Sequence, residues 1–284
     1  MTHSALLAFE ELDSNPQAKF LDATFALPGS WETPRQLHAK KRIENAQFFD
    51  IQQIADPESD LPHMLPDAEL FSEEISRLGI SNGDTVIIYG QENIAMGPAR
   101  AWWMFRAFGH QDVRVLNVSL NWLIKNGYPI ISGKPTNESS SDVLYQACFK
   151  PHLVADSLAI KDELENQSRP ILDARPAARF AGQGEEPRGG MRAGHIPESI
   201  NIPAGELINA ETGGLKDYED LKLLLKDFIN PDMSAPITTC GSGITACLLA
   251  LACYELGQTE VAVYDGSWSE WGREEHNFPV SKSA

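Results

Sequence analysis

The sequence predicts an α/β fold built from two tandem copies of one unit, each a parallel sheet covered by helices on both faces. Three observations carry this reading. Short apolar runs ending in Asp recur near positions 20 and 170, β-type runs reach a loop at Gly90 and again at Cys240, and an apolar helical stretch ending in Gly follows each loop. The order is the same in both halves, at an offset of about 150 residues.

Lys19-Phe-Leu-Asp22 and Pro170-Ile-Leu-Asp173 read as buried parallel strands that lead into loops. Thr85-Val-Ile-Ile-Tyr89 and Ala235-Pro-Ile-Thr-Thr239 read as a second pair of strands. Helices are expected over Ala99–Gly109 and Ile244–Gly257, and further strands over Val113–Leu116 and Val261–Tyr264. Ser119-Leu-Asn-Trp122 and Ser267-Trp-Ser-Glu-Trp271 then follow in matching places. Strands alternating with helices through short connections imply a parallel sheet. The stretch 132–151, rich in Ser, Pro, Asn and Lys, reads as a linker, giving domains 1–132 and 152–284 joined by 133–151.

A chain of 284 residues, 42% hydrophobic, has enough apolar material for two cores. Its net charge of -17 repels phosphate backbones and anionic lipid, which argues against nucleic-acid and membrane partners. An anionic substrate would need locally clustered arginines. The longest apolar stretch, Ile244–Tyr254, is too short to span a bilayer. The N-terminal residues are too acidic for a transit peptide, and four cysteines in a long chain suit reduced thiols, so a cytoplasmic protein is expected. No His/Cys spacing suits a metal and no Gly-rich nucleotide loop follows a strand, so neither metal nor cofactor is expected.

The copies differ where chemistry is expected. Thr239-Cys240-Gly-Ser-Gly-Ile-Thr245 follows a strand and opens an apolar helix, where the first half has Gly90 and no cysteine. Ligands of α/β sheets bind at such carboxyl edges. Glycines let the backbone N–H groups of the loop turn inward, and the helix start adds partial positive charge, so a thiolate or persulfide is stabilised there. A buried cysteine at a strand end is the plainer alternative. Cys247 and Cys253, among Leu248, Leu249 and Leu251, read as core packing; Cys148 carries no signal.

Cys240-Gly-Ser-Gly-Ile-Thr-Ala246 resembles the active-site loop of 3-mercaptopyruvate sulfurtransferases, within the rhodanese superfamily. The likeness extends over nearly the whole chain through Phe48-Phe-Asp-Ile51, His63-Met-Leu-Pro66, Ala99-Arg-Ala-Trp-Trp103, Leu172-Asp-Ala-Arg175, Gly194-His-Ile-Pro197 and Tyr264-Asp-Gly-Ser-Trp268. The resemblance implies two rhodanese-like domains with the second catalytic. It implies that Cys240 takes sulfur from 3-mercaptopyruvate as a persulfide, releasing pyruvate, and passes it to thioredoxin, a small thiol or cyanide. It also implies that Arg179 and Arg188 grip the substrate carboxylate and keto oxygen, for which a planar guanidinium fork is suited. The resemblance further implies that Gly241, Gly243, Ile244 and Thr245 complete the substrate-binding loop.

Ser242 is expected to bond the leaving group or help protonate the enolate, or else to cap the helix. His63 matches the family histidine that assists this serine. The chain has Gln52 where relatives carry an acid that partners the histidine, so a serine–histidine–acid relay would need Asp50 instead. Asp173, Arg175, His195 and Asp265 read as loop supports, and Trp102, Trp103, Trp268 and Trp271 as core or interface aromatics. Gly90-Gln-Glu-Asn93 and Asn117-Val-Ser119 read as drift in the non-catalytic copy.

Thiosulfate-using relatives carry basic residues after the cysteine; Gly241 and Ser242 offer none, which favours mercaptopyruvate over thiosulfate. A phosphatase loop would close with a cation on the equatorial oxygens, and this one closes with Thr245-Ala246. A non-enzymatic sulfur carrier is the remaining alternative from another class.

Overall fold

Two five-stranded parallel sheets organise the computed structural model, which describes residues 4–26, 31–133, 143–229 and 234–283. The first half contains β1 (Leu6–Leu7), β2 (Lys19–Asp22), α1 (Pro34–Lys40), β3 (Gln47–Phe48), α2 (Ala68–Arg77), β4 (Val86–Tyr89), α3 (Pro98–Ala107), β5 (Val113–Leu116) and α4 (Leu120–Lys125). The second contains β6 (Val154–Ala155), α5 (Ser157–Asn166), β7 (Ile171–Asp173), α6 (Ala177–Phe180), β8 (Ile200–Asn201), α7 (Tyr218–Leu225), β9 (Ile237–Thr239), α8 (Ala246–Glu255), β10 (Ala262–Tyr264) and α9 (Ser267–Trp271).

The strand orders are β1-β5-β4-β2-β3 and β6-β10-β9-β7-β8, the same permutation twice. Equivalent registers pair Leu21 with Ile88 and Leu172 with Thr238. β4 and β9 lie inside their sheets with every residue buried, which is why Val86-Ile-Ile-Tyr89 of β4 reads as an unbroken apolar run rather than an alternation. The helices behind them, α3 and α8, are apolar on nearly every side and are buried almost throughout. Trp102, Trp103, Trp268 and Trp271 are fully buried core residues.

The chain packs as two units that follow the halves apart from two short segments. One contains the described residues of 1–57, 65–150 and 208–215; the other contains those of 58–64, 151–207 and 216–284. Segment 208–215 is held in the first unit by backbone bonds from Ile94 N to Gly213 O (3.0 Å) and from Ser119 N to Thr212 O (2.7 Å). The Asn117 Oδ1 atom accepts from Leu215 N at 2.7 Å, so Asn117 is a docking residue rather than drift. A Cβ at Gly214 would lie 2.0 Å from Asn117 O, so only glycine fits there.

Residues 134–142 of the expected linker lie outside the described residues. Its remainder is bound to the first unit: Tyr145 N and Ala147 N donate to Ser76 Oγ (2.9 Å) and Ser72 Oγ (3.0 Å) on α2, and Cys148 N donates to Phe108 O (2.9 Å). Polar composition suggested a tether, yet these residues find fixed partners along two helices. Among the described residues no helix is long and apolar enough to cross a membrane, and no group of acidic, His or Cys side chains could hold a metal ion.

Candidate active site

Cys240 follows β9 directly, at the carboxyl edge of the sheet, and is 2% exposed. The loop after it is shaped by the start of α9. Ser267 Oγ accepts from Cys240 N (3.2 Å) and Gly243 N (3.1 Å) and donates to Tyr264 O (2.7 Å). Trp268 N donates to Cys240 O (3.0 Å), while Ser269 N and Oγ both donate to Gly241 O (2.9 and 2.6 Å). Gly243 sits at φ 73°, in the left-handed region that favours glycine, and so lets the chain curl before α8 begins. Two of the loop amides are therefore committed to Ser267. Those of Gly241, Ser242, Ile244 and Thr245 have no protein acceptor among the described residues, which leaves four donors in the loop that follows the cysteine.

The helix start is Thr245, whose side chain makes no capping bond, so Ser242 does not cap α8. Ser242 is half-exposed on the loop. Cys247 is the second residue of α8, its Sγ donating to Gly243 O at 3.1 Å, and it is fully buried, as is Cys253. Burial pushes the Cys253 thiol well above its ordinary range.

Arg179, on α6, lies against the loop. A Cβ built on Gly241 would meet its Nη2 at 3.3 Å. That Nη2 donates to Glu186 Oε2 at 2.6 Å, and Arg175 Nη1 reaches the other Glu186 oxygen at 3.3 Å. Arg179 Nε is buried without a hydrogen-bond partner. Arg188 stands nearby. Its pKa falls below the ordinary arginine value mainly through burial and also through repulsion from Arg179, while Cys240 and Glu186 act in the opposite direction. The structure thus brings Cys240, Arg179 and Arg188 into one electrostatic neighbourhood. Arg188 lines a cavity of about 850 Å³ with Asp60, Leu61, Pro62, Ser269 and Arg273.

The supporting residues hold this frame. Asp173 and Arg175 form a buried fork, with Nε and Nη2 on the carboxylate at 2.9 and 2.7 Å, and Arg175 lies 4.2 Å from the Trp268 ring centre. His195 shares a hydrogen bond with Phe180 O (2.8 Å) and stacks on Phe180 at 3.8 Å. Asp265 is buried. The corresponding acid of the first unit, Asp22, is bound by His38 Nδ1 (3.0 Å) and Gln91 Nε2 (2.9 Å).

His63 belongs to the segment 58–64, which packs with the cysteine-bearing unit although it comes from the first half of the chain. It adopts φ 62°, unusual for a non-glycine residue. Asp50 is occupied within the first unit: Oδ2 accepts from Arg35 Nη2 at 2.8 Å, and Oδ1 accepts from Gln52 N and Gln53 N at 3.2 and 3.4 Å. Sequence reasoning missed Ser267, Ser269 and Glu186. The match of Ser267 to Ser119 was a usable signal, since Ser119 Oγ likewise accepts a backbone amide, that of Trp122, at 3.1 Å.

A family model, the rhodanese-like domain, matches residues 158–274. A thiosulfate/3-mercaptopyruvate sulfurtransferase of Arabidopsis thaliana is 38% identical over 90% of this chain and 72% of its own length. The 3-mercaptopyruvate sulfurtransferase of Mus musculus is 38% identical over 91% of this chain and 86% of its own. Among solved structures, the 3-mercaptopyruvate sulfurtransferase SseA of Escherichia coli superposes with a TM-score of 0.78 at 32% identity, covering 94% of this chain and 100% of that one. With a cysteine loop at the sheet edge, two arginines beside it, and this likeness over nearly its whole length, the chain belongs to the tandem-domain rhodanese family of sulfurtransferases.

Proposed function

We propose that this sulfurtransferase takes sulfur from 3-mercaptopyruvate onto Cys240 and passes it to a thiol acceptor, thioredoxin or a small thiol, or to cyanide. The observation that supports this most strongly is the placement of Arg179 and Arg188 beside Cys240, on a loop whose next two residues, Gly241 and Ser242, carry no charge.

In the first half-reaction the Cys240 thiolate attacks the substrate sulfur. The carbon–sulfur bond breaks, its electron pair passes to the carbon as the pyruvate enolate, and protonation at that carbon gives pyruvate. Arg179 and Arg188 hold the carboxylate and keto oxygen, so the enolate charge develops against two cations. The free amides of Gly241, Ser242, Ile244 and Thr245 receive the persulfide anion, with Gly243 setting the turn. Ser242, assisted by His63, supplies or relays the proton. In the second half-reaction an acceptor thiolate attacks the outer sulfur, and the electron pair of the broken S–S bond returns to Cys240.

We assign the catalysis to the unit bearing Cys240 and a non-catalytic role to the other, where Gly90 stands in place of the cysteine. All four cysteines are free thiols, which suits the reducing cytoplasm proposed for the protein.

The test is pyruvate release from 3-mercaptopyruvate beside thiosulfate–cyanide turnover, with intact mass recorded after each donor. Preference for mercaptopyruvate with a gain of about 32 Da, absent in Cys240→Ser, is the expected result. Preference for thiosulfate would overturn the reading of Gly241 and Ser242. No gain with either donor would leave a binding module.

A further inference from the structure

Arg273, two residues beyond α9, joins two segments of the cysteine-bearing unit through all three of its guanidinium nitrogens. Nε donates to Ser269 O at 3.1 Å. Nη2 donates to Asp60 O at 3.2 Å, and Nη1 pairs with the Asp60 carboxylate while reaching Glu275 Oε1 at 3.3 Å. Ser269 in turn holds Gly241 O through both its amide and its hydroxyl. A continuous path therefore runs from the Cys240 loop through Ser269 and Arg273 to Asp60, three residues before His63.

The pair is poorly placed to add stability. The Asp60 side chain is 78% exposed and that of Arg273 19%, and exposed ion pairs contribute little. A fork that grips backbone carbonyls on both segments is suited instead to fixing geometry. The segment it grips needs fixing, because His63 is held in the left-handed region, which a non-glycine side chain keeps only where its surroundings enforce it. The Arg273 hydrogen bond holds the Asp60 carboxyl below the usual carboxylate range.

We infer that Arg273 is a positioning residue that fixes the Glu58–Met64 segment, and with it His63, beside the Cys240 loop. This rests on the reading that His63 assists proton transfer during sulfur loading.

The experiment is a single-turnover measurement of Cys240 persulfide formation and pyruvate release. It compares wild type, Arg273→Ala, Arg273→Lys, Asp60→Ala, His63→Ala and the Arg273→Ala/His63→Ala double variant. Thermal melts and near-ultraviolet circular dichroism establish that each is folded. Arg273→Ala is expected to lower the maximal loading rate about ten-fold while half-saturation moves less than about two-fold. Asp60→Ala should share that signature from the other end of the contact. Lysine should restore only part of the rate, since a point charge cannot span both carbonyls. In the His63→Ala background, Arg273→Ala should cost less than about a further two-fold. An unchanged rate in Arg273→Ala, a full multiplicative loss in the double variant, or a His63→Ala protein as fast as wild type would each overturn the inference. If wild type takes no sulfur from mercaptopyruvate, the donor assignment fails separately, and the same cycle run on thiosulfate decides the role of Arg273.

Discussion

The guanidinium of Arg179 lies so close over Gly241 that a methyl group there would stand 3.3 Å from Nη2 and 3.6 Å from Nη1. The glycine therefore sets how near the cation approaches the thiol loop. Gly241 is not among the residues held at positive φ, so alanine is sterically allowed by the backbone and must instead displace the arginine. Gly241→Ala should leave the melting temperature unchanged and raise KM for mercaptopyruvate about five-fold, as expected for a displaced carboxylate fork. Steady-state pyruvate release and a thermal melt check both halves of this.

Ser267 is the hub of the loop, since one hydroxyl serves the amides of Cys240 and Gly243 and the carbonyl of Tyr264. Removing it leaves two buried amides without an acceptor. Ser267→Ala should destabilise the protein by about 2 kcal/mol, within the range for orphaned buried donors. It should also slow persulfide formation by loosening the turn. Urea unfolding and mass-monitored loading measure the two effects, and a loss of stability with unchanged loading would show that the loop keeps its shape without the hydroxyl.

The tandem sheets were legible in the sequence because fully buried parallel strands and all-apolar helices leave strong local signals, as at Val86–Tyr89 and Ala246–Glu255. The place of Cys240, between a buried strand and an apolar helix, was legible for the same reason. What was not legible depends on contacts distant in sequence. Segment 208–215 docks through Asn117, which is 98 residues from Leu215, and Asp60 meets Arg273 across 213 residues. Polar composition made residues 145–150 resemble a tether, although serines 72 and 76 hold them. Glu186 looked like one acid among many because its role arises only when Arg175 and Arg179 converge on it.

That convergence makes a prediction. Glu186 accepts from Arg179 at 2.6 Å and aims its guanidinium, while Arg175 is held independently by Asp173. Glu186→Gln keeps one acceptor but removes the charge that restrains Arg179. KM for mercaptopyruvate should rise about three-fold with kcat nearly unchanged, the pattern of lost ground-state binding. The melting temperature should change little. A fall in kcat without a change in KM would instead place Glu186 in the chemical step.

His110 should make the stability of the first unit depend on pH. Its Nε2 lies 3.0 Å from Asp84 O, its Nδ1 is buried without a partner, and its ring packs between Phe105 (5.2 Å) and Tyr145 (5.7 Å). Burial lowers its pKa from the ordinary histidine value, outweighing the attraction of Asp84 and Asp112. Protonation would place a charge among buried aromatic rings, away from water. The unfolded chain therefore binds the proton more readily than the folded one. The stabilisation is complete above the unfolded pKa, about 6.5, and is lost as pH falls toward the folded value. Urea midpoints should be lower at about pH 5.5 than at about pH 7.5, and His110→Gln, which keeps a donor for Asp84 O but does not titrate, should narrow that difference. An identical pH dependence in the variant would assign the effect to another group.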